Sequence, residues 1–264
     1  STTPSVFRSN RVGESSLNPE LLLEMSANIR LSDELRSVAA DHIHVQEHIQ
    51  SFYDQTSTYP TVVEDPTEIS ETDAPNVIYP ASPRIYIHVY GNRGEHTTYY
   101  CLEPSLSEQE SGLYEQVRAE VLDRSVTRPA PGEIEDFTTH LNDLLKEILT
   151  VESDIRSIFD QVRSSLLGDR FIVTQETYDR LQYVLQRDIT GLGPLEPVMA
   201  DDTNEDIHVI GPHACYVDNG VFGMVETTVD FGDVEQFSNW IRNMGERMNH
   251  PVSDSNPVID ATLP

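Results

Sequence analysis

The segment His44-Val45-Gln46-Glu47-His48, with His42 just before it, groups metal-capable side chains most closely. On a helix His44 and His48 stand one turn apart on one face. That is zinc-ligand spacing, and H-x-x-E-H is the inverted zinc-peptidase motif, which here would use His44, Glu47 and His48. The pattern is short, no third ligand announces itself, and no compact core is evident around it. A solvated helix face is therefore expected, with a zinc peptidase as the remote alternative and no metal ligand assigned. Phosphate chemistry needs a glycine-rich loop ending in Lys-Ser/Thr, whose N–H groups cradle phosphates while the lysine meets the β and γ oxygens. The single lysine, Lys146, follows Asp143-Leu144-Leu145 inside a helical pattern with no such loop before it. No Ser/His/Asp set occurs in a strained-elbow context. No catalytic residue is assigned, and the chain by itself is not expected to hydrolyse nucleotide.

The charge balance narrows the partners. The 264 residues carry a formal net charge of −28, with one lysine against sixteen arginines. A carboxylate-rich surface repels itself at low salt, and this repulsion is screened at molar salt, where the Debye length is about 3 Å. The composition points to a salt-adapted, halophilic cytoplasm. With no basic stripe to meet phosphates, nucleic acid is not an expected partner. Cys101 and Cys215 lie far apart in strand-like segments, outside any CxxC motif, and read as free thiols in a reducing compartment. No signal peptide and no apolar run near 18 residues is evident, so the chain is expected to be soluble by itself.

The elements that would position any site follow from periodicity. Residues 1–78 read as an acidic, largely flexible extension, with one irregular helix between Asn18 and Gln50 and an acidic linker over 63–75. Ile85, Ile87 and Val89 alternate with Tyr86, His88 and Tyr90, and after a Gly91–Gly94 turn the segment from His96 to Leu102 returns, a hairpin with one buried face. Ser107 and Glu110 form a capping box for a helix carrying Val117 and Val121. Apolar spacings over 134–151, 155–166 and 174–189 predict three helices in series, the last capped by Thr174. Residues 79–190 are thus expected to be a hairpin and helical-bundle subdomain. Beyond them, Ile207–Ile210, Ala214–Val217 and Val221–Val229 read as antiparallel strands with an Asp218-Asn219-Gly220 turn. Asp233 and Gln236 cap a helix bearing Phe237, Trp240, Ile241 and Met244.

Between these halves lies Asp188-Ile189-Thr190-Gly191-Leu192-Gly193-Pro194-Leu195-Glu196-Pro197-Val198-Met199. Gly191 is placed to take the left-handed conformation that stops a helix, and Gly193-Pro194 is a turn pair. The order of this connector, DIHVIGP, YVDNG, a Trp-bearing helix and Asn256-Pro257-Val258-Ile259-Asp260-Ala261-Thr262-Leu263-Pro264 resembles the N-terminal domain of type II/IV secretion-system ATPases. A weaker likeness to the archaeal branch reaches back to Tyr100-Cys101-Leu102-Glu103-Pro104-Ser105-Leu106-Ser107.

The resemblance implies an α+β fold in which residues 191–264 form an incomplete PAS-like domain, a small antiparallel sheet packed with a helix, truncated before the P-loop. Its motif positions are Gly191, Gly193, Pro194, Glu196, Asn256, Pro257 and Asp260. It further implies a hexamer whose N-terminal part covers ATP and magnesium held by the following motor domain of the same protein, docked to a polytopic membrane platform protein at the inner face of the cell membrane. No cofactor is expected in this chain alone. In that family, arginines of the N-terminal domain approach the nucleotide, and the resemblance makes Arg242 and Arg247 the candidates here. A motor-less interaction or regulatory protein is the alternative.

Overall fold

The computed structural model describes residues 32–69, 74–91, 96–126, 134–152 and 171–247. It opens with α1 (Asp33–Asp41) and α2 (Ile43–Thr56). The Ser32 hydroxyl accepts from the Leu35 N–H at 3.1 Å and starts α1. His42, in extended backbone, separates the two helices. That break explains the irregular apolar spacing: Leu35 and Ala39 belong to one helix, and Val45, Ile49 and Phe52 to another of different phase. The expected flexible extension is therefore corrected over 32–69. Its helices are folded against a sheet, and within the acidic run Asp65 caps a 3-10 turn over Pro66–Glu68.

The sheet has seven strands: β1 (Thr61–Val62), β2 (Asn76–Ser82), β3 (Ile85–Tyr90), β4 (Thr98–Leu102) and, after the helical section, β7 (Asn204–Gly211), β8 (Ala214–Asn219) and β9 (Gly223–Thr227). Their order is β1-β2-β3-β4-β9-β8-β7. β1–β2 and β4–β9 are parallel, and the other neighbours are antiparallel. The last three strands are antiparallel, as expected, but they do not stand apart. The parallel β4–β9 seam makes one mixed sheet across the expected boundary at residue 190. β2 was hidden in the sequence because Pro80 interrupts it, where the β2–β3 register shifts between Pro80 and Ser82.

Between β4 and β7 run α3 (Glu108–Val126), α4 (Ile134–Ile148), β5 (Leu149–Val151), β6 (Phe171–Val173), α5 (Gln175–Ile189), a 3-10 turn (Gly193–Leu195) and α6 (Glu196–Met199). Both predicted caps form: Ser107 and Glu110 exchange bonds of 2.9 and 3.3 Å, and Thr174 accepts from the Thr177 N–H at 3.1 Å. The helix expected to reach Val151 ends at Ile148 and becomes β5, which pairs in parallel with β6. The helix expected over 155–166 lies outside the described residues. The chain then reaches α7 (Val234–Arg247), where the Asp233–Gln236 box closes with bonds of 2.8 and 2.9 Å. No helix among the described residues is long and apolar enough to cross a membrane.

Alternation decides the layers. Val77, Tyr79, Ile85, Ile87, Val89 and Tyr99 point to one face, where they meet Val184, Leu195 and Val198, the buried side of β8 and β9, and Phe231. Ile78, Tyr86, Tyr100 and Leu102 point to the other, against α1 and α2. The hairpin expected to bury one face thus buries both, and His88 is fully enclosed. A third cluster joins α3, α4 and α5 through Val117, Leu144, Leu145, Ile148, Leu181 and Leu185.

Candidate functional site

The connector is built around three consecutive carbonyls. α5 ends at Ile189, and the N–H groups of Thr190 and Gly191 both return to the Gln186 carbonyl. The carbonyls of Thr190, Gly191 and Leu192 then have no partner in the helix ladder. α7 supplies partners for all three. Arg247 donates to the Thr190 and Gly191 carbonyls at 2.7 and 2.5 Å, and Trp240 Nε1 donates to the Leu192 carbonyl at 3.1 Å. Trp240 and Arg247 are seven residues apart, two turns of one helix face. The guanidinium also sits where the α5 dipole is negative. From the other side Glu196 accepts from the Leu192 N–H at 2.8 Å, so both backbone groups of Leu192 are held by side chains.

The glycines divide their roles differently from the sequence expectation. The left-handed residue is Gly193, at φ +61, and a Cβ there would stand 3.0 Å from Trp240 Nε1. Gly191 is not left-handed. A Cβ on it would come within 2.9 Å of the Arg187 carbonyl and 2.7 Å of the Glu196 carboxylate. Pro194 occupies the first turn of the 3-10 segment, where its missing N–H costs nothing. Asn256, Pro257 and Asp260 lie outside the described residues.

One turn back, Arg187 extends the site to Glu103, the residue that follows β4. Its guanidinium donates to Glu103 at 2.6 Å and to Asp188 at 2.9 Å. Tyr183 donates to the other Glu103 oxygen at 2.6 Å, and Tyr114 to Asp188 at 2.7 Å. Burial pushes the Glu103 carboxyl up from its ordinary value, against the pull of Arg187 and Tyr183. Burial opposes the charge on Arg187, yet Glu103 and Asp188 hold its pKa above the usual range. A cavity of about 290 Å³ lies here, lined by Thr138, Gln186, Arg187 and Glu196 among others. A second, of about 440 Å³, lies between the end of α5 and α7, beside Asp188, Trp240, Met244 and Arg247.

The two candidate arginines separate. Arg247 is committed to backbone carbonyls while remaining exposed, and Arg242 turns outward to Asn239 Oδ1 at 2.9 Å. Neither arginine pairs with Asp233 or Glu246. His44, Glu47 and His48 do not assemble a zinc centre: Glu47 is exposed, the His48 ring bonds to His88, and no group of three metal-capable side chains converges among the described residues. Lys146 is exposed beside Asp143. Cys101 and Cys215 are free thiols in β4 and β8.

No known protein family matches the chain. It is 34% identical over 234 residues to the uncharacterized protein MJ0900 of Methanocaldococcus jannaschii, a match covering 88% of this chain and 42% of that protein. It is 26% identical over 179 residues to the uncharacterized protein MJ1288 of the same archaeon, covering 66% of this chain and 63% of the relative. The chain thus spans less than two thirds of the length of each.

Sequence reasoning missed a second polar centre, at the sheet seam. Asp201, 5% exposed, accepts from the Tyr79 and Tyr99 hydroxyls at 2.8 and 2.6 Å and from the Thr203 hydroxyl at 2.6 Å. Asn204 donates to Tyr99 Oη and to the Val198 carbonyl, and Asn219 ties Thr203 and Asn204 to the turn before β9. Burial and neighbouring acidic groups push both phenols far up, so they stay O–H donors. The only signal was the polar run after Met199, which reads as an ordinary loop.

Proposed function

We propose that this chain is the non-motor N-terminal part of an archaeal assembly ATPase of the type II/IV secretion, pilus and archaellum class. In this reading it helps form the hexamer, closes over ATP and magnesium held by the motor domain of the same protein, and docks to a polytopic membrane platform from the cytoplasm. The last three strands with α7 correspond to the PAS-like element of that class. One observation carries the reading: Gly191, Gly193, Glu196 and the Trp-bearing helix form a single clasp in which α7 occupies the carbonyls of Thr190, Gly191 and Leu192. Glu103 of the Leu-Glu-Pro-Ser-Leu segment is tied through Arg187 to the last turn of α5, just before the clasp. Segments that resemble the class and lie far apart in sequence are therefore neighbours. The M. jannaschii relatives support an archaeal setting, and MJ0900 has more than half its length outside the match, room for a motor.

The test is the coding sequence beyond codon 264, followed by purification of whatever reading frame it opens. An in-frame Gly-rich loop ending in Lys-Ser/Thr within about a hundred residues, with magnesium-dependent ATP hydrolysis, is expected. A stop codon followed by unrelated sequence, or a full-length product without that loop, overturns the reading in favour of a motor-less interaction protein.

A further inference from the structure

The sheet face that α2 covers is held by imidazoles as well as hydrocarbon. His48 stands against His88 and Tyr100 with ring centroids 5.0 Å from each, and Phe52 lies edge-on to His88 at 4.5 Å and to Tyr90 at 4.8 Å. His48 Nε2 lies 2.7 Å from His88 Nδ1. The proton in that contact is assignable from its neighbours. Asn76 Nδ2 donates to the Tyr59 carbonyl at 3.2 Å, which leaves Asn76 Oδ1 facing His88 Nε2 at 3.0 Å. An amide oxygen only accepts, so His88 Nε2 carries hydrogen, His88 Nδ1 is a lone pair and His48 Nε2 is the donor.

This arrangement requires neutral rings. One added proton leaves a cation enclosed by Phe52, Tyr90 and Tyr100. A second sets two N–H groups against each other across 2.7 Å. The other groups facing the layer give no relief. Asp41, at the end of α1, acts on His42 and Tyr86, whereas burial alone governs His48, and burial with His48 governs His88. β2 contributes Asn76, β3 Tyr86 and Tyr90, and β4 Tyr100. His44, one turn before His48, has its Nε2 buried without a partner, and its ring is set against the Arg84 backbone. The α1–α2 layer is attached through its own small cluster, in which Leu35, Ala39, Val45 and Ile49 meet Ile78 and Leu102. The opposite face and the α3–α5 bundle have separate cores.

We propose that the His48–His88 contact is a proton-operated latch: it holds the α1–α2 layer on the sheet, and proton uptake from solvent by the pair lifts that layer while the opposite face stays folded. Lifting uncovers an aromatic surface of Tyr86, Tyr90 and Tyr100. The latch does not depend on the proposed function.

Amide hydrogen exchange of the full chain in high salt, corrected for intrinsic rates, tests this at pH 7.5, 6.5 and 5.5. Protection across α2 is expected to fall roughly tenfold per pH unit below 6.5 for each proton taken up on opening, while β8 and α5 keep theirs. His48→Gln, whose amide can donate to His88 Nδ1 without titrating, is expected to make the α2 profile shallower by one proton, roughly tenfold less per pH unit, with His44 and His88 still titrating. Should that variant not fold, NMR titration of the wild-type rings replaces it, with His48 and His88 changing state together with the loss of α2 protection. Constant α2 protection, simultaneous loss in α2, β8 and α5, an unaltered profile in His48→Gln, or rings that titrate apart from α2 opening each overturn the latch.

Discussion

At the scale of single residues, the connector tolerates little. Gly193 combines a left-handed backbone with a side-chain-free approach to the Trp240 indole. Gly193→Ala is expected to lower stability by about 1–2 kcal/mol from the backbone conformation alone, read as a lower urea midpoint with unchanged slope. Trp240→Phe removes the donor to the Leu192 carbonyl and is expected to cost about 1–3 kcal/mol by the same measurement; a cost near zero counts against the clasp. Asp201→Ala strands two buried phenols and is expected to cost at least ~2 kcal/mol. These positions differed in legibility. Trp240 could be placed on a buried helix face from its spacing with Phe237 and Met244. Nothing in the sequence connects Tyr79, Tyr99 and Asp201, because their meeting depends on strand pairing between distant segments. The left-handed backbone expected at Gly191 is absent, and the close approach of Arg187 and Glu196 is what a side chain there would disturb.

Elements were legible wherever a local rule governs them. The Ser107–Glu110 and Asp233–Gln236 capping boxes and the Thr174 cap are short-range chemistry and form as read. Glu110 has a second duty that spacing could not reveal: it accepts from Arg180 of α5 at 2.7 Å, with both side chains about nine-tenths buried. Glu110→Ala is expected to cost about 2–4 kcal/mol, from the lost cap and from a buried guanidinium deprived of its Glu110 carboxylate. Where two elements share one stretch, periodicity misled, as in the α1–α2 break at His42 and the passage from α4 into β5. The imidazoles of α2 and β3 also set a pH dependence. His44 and His48 are lowered by burial to about 4, and His88 is well below 6.5. The unfolded chain therefore binds these protons first. Their contribution to stability is complete above about pH 6.5 and is lost as pH falls toward 4. Thermal midpoints are expected to be lower at pH 5 than at pH 7.5, and equal midpoints would contradict neutral burial.

For the molecule as a whole, a net charge of −28 makes solvent ions part of the stability balance. Raising potassium chloride from 0.1 to 2 M shortens the Debye length from about 10 Å to a few Å, and the thermal midpoint is expected to rise by several degrees; a falling midpoint would argue against salt adaptation. The fold class was legible as a mixture of helices and strands, but the continuity of the sheet was not, because β4 and β9 meet through only two aligned residue pairs, Thr98–Glu226 and Tyr99–Thr227. That seam has a consequence for biosynthesis. β4 ends at Leu102 and β9 begins at Gly223, a difference of 121 positions. At about 5–20 residues per second, the ribosome leaves the open side of β4 without its neighbour for roughly 6–24 s. During that interval the nascent chain presents an unpaired edge, so early maturation favours cells that shield it.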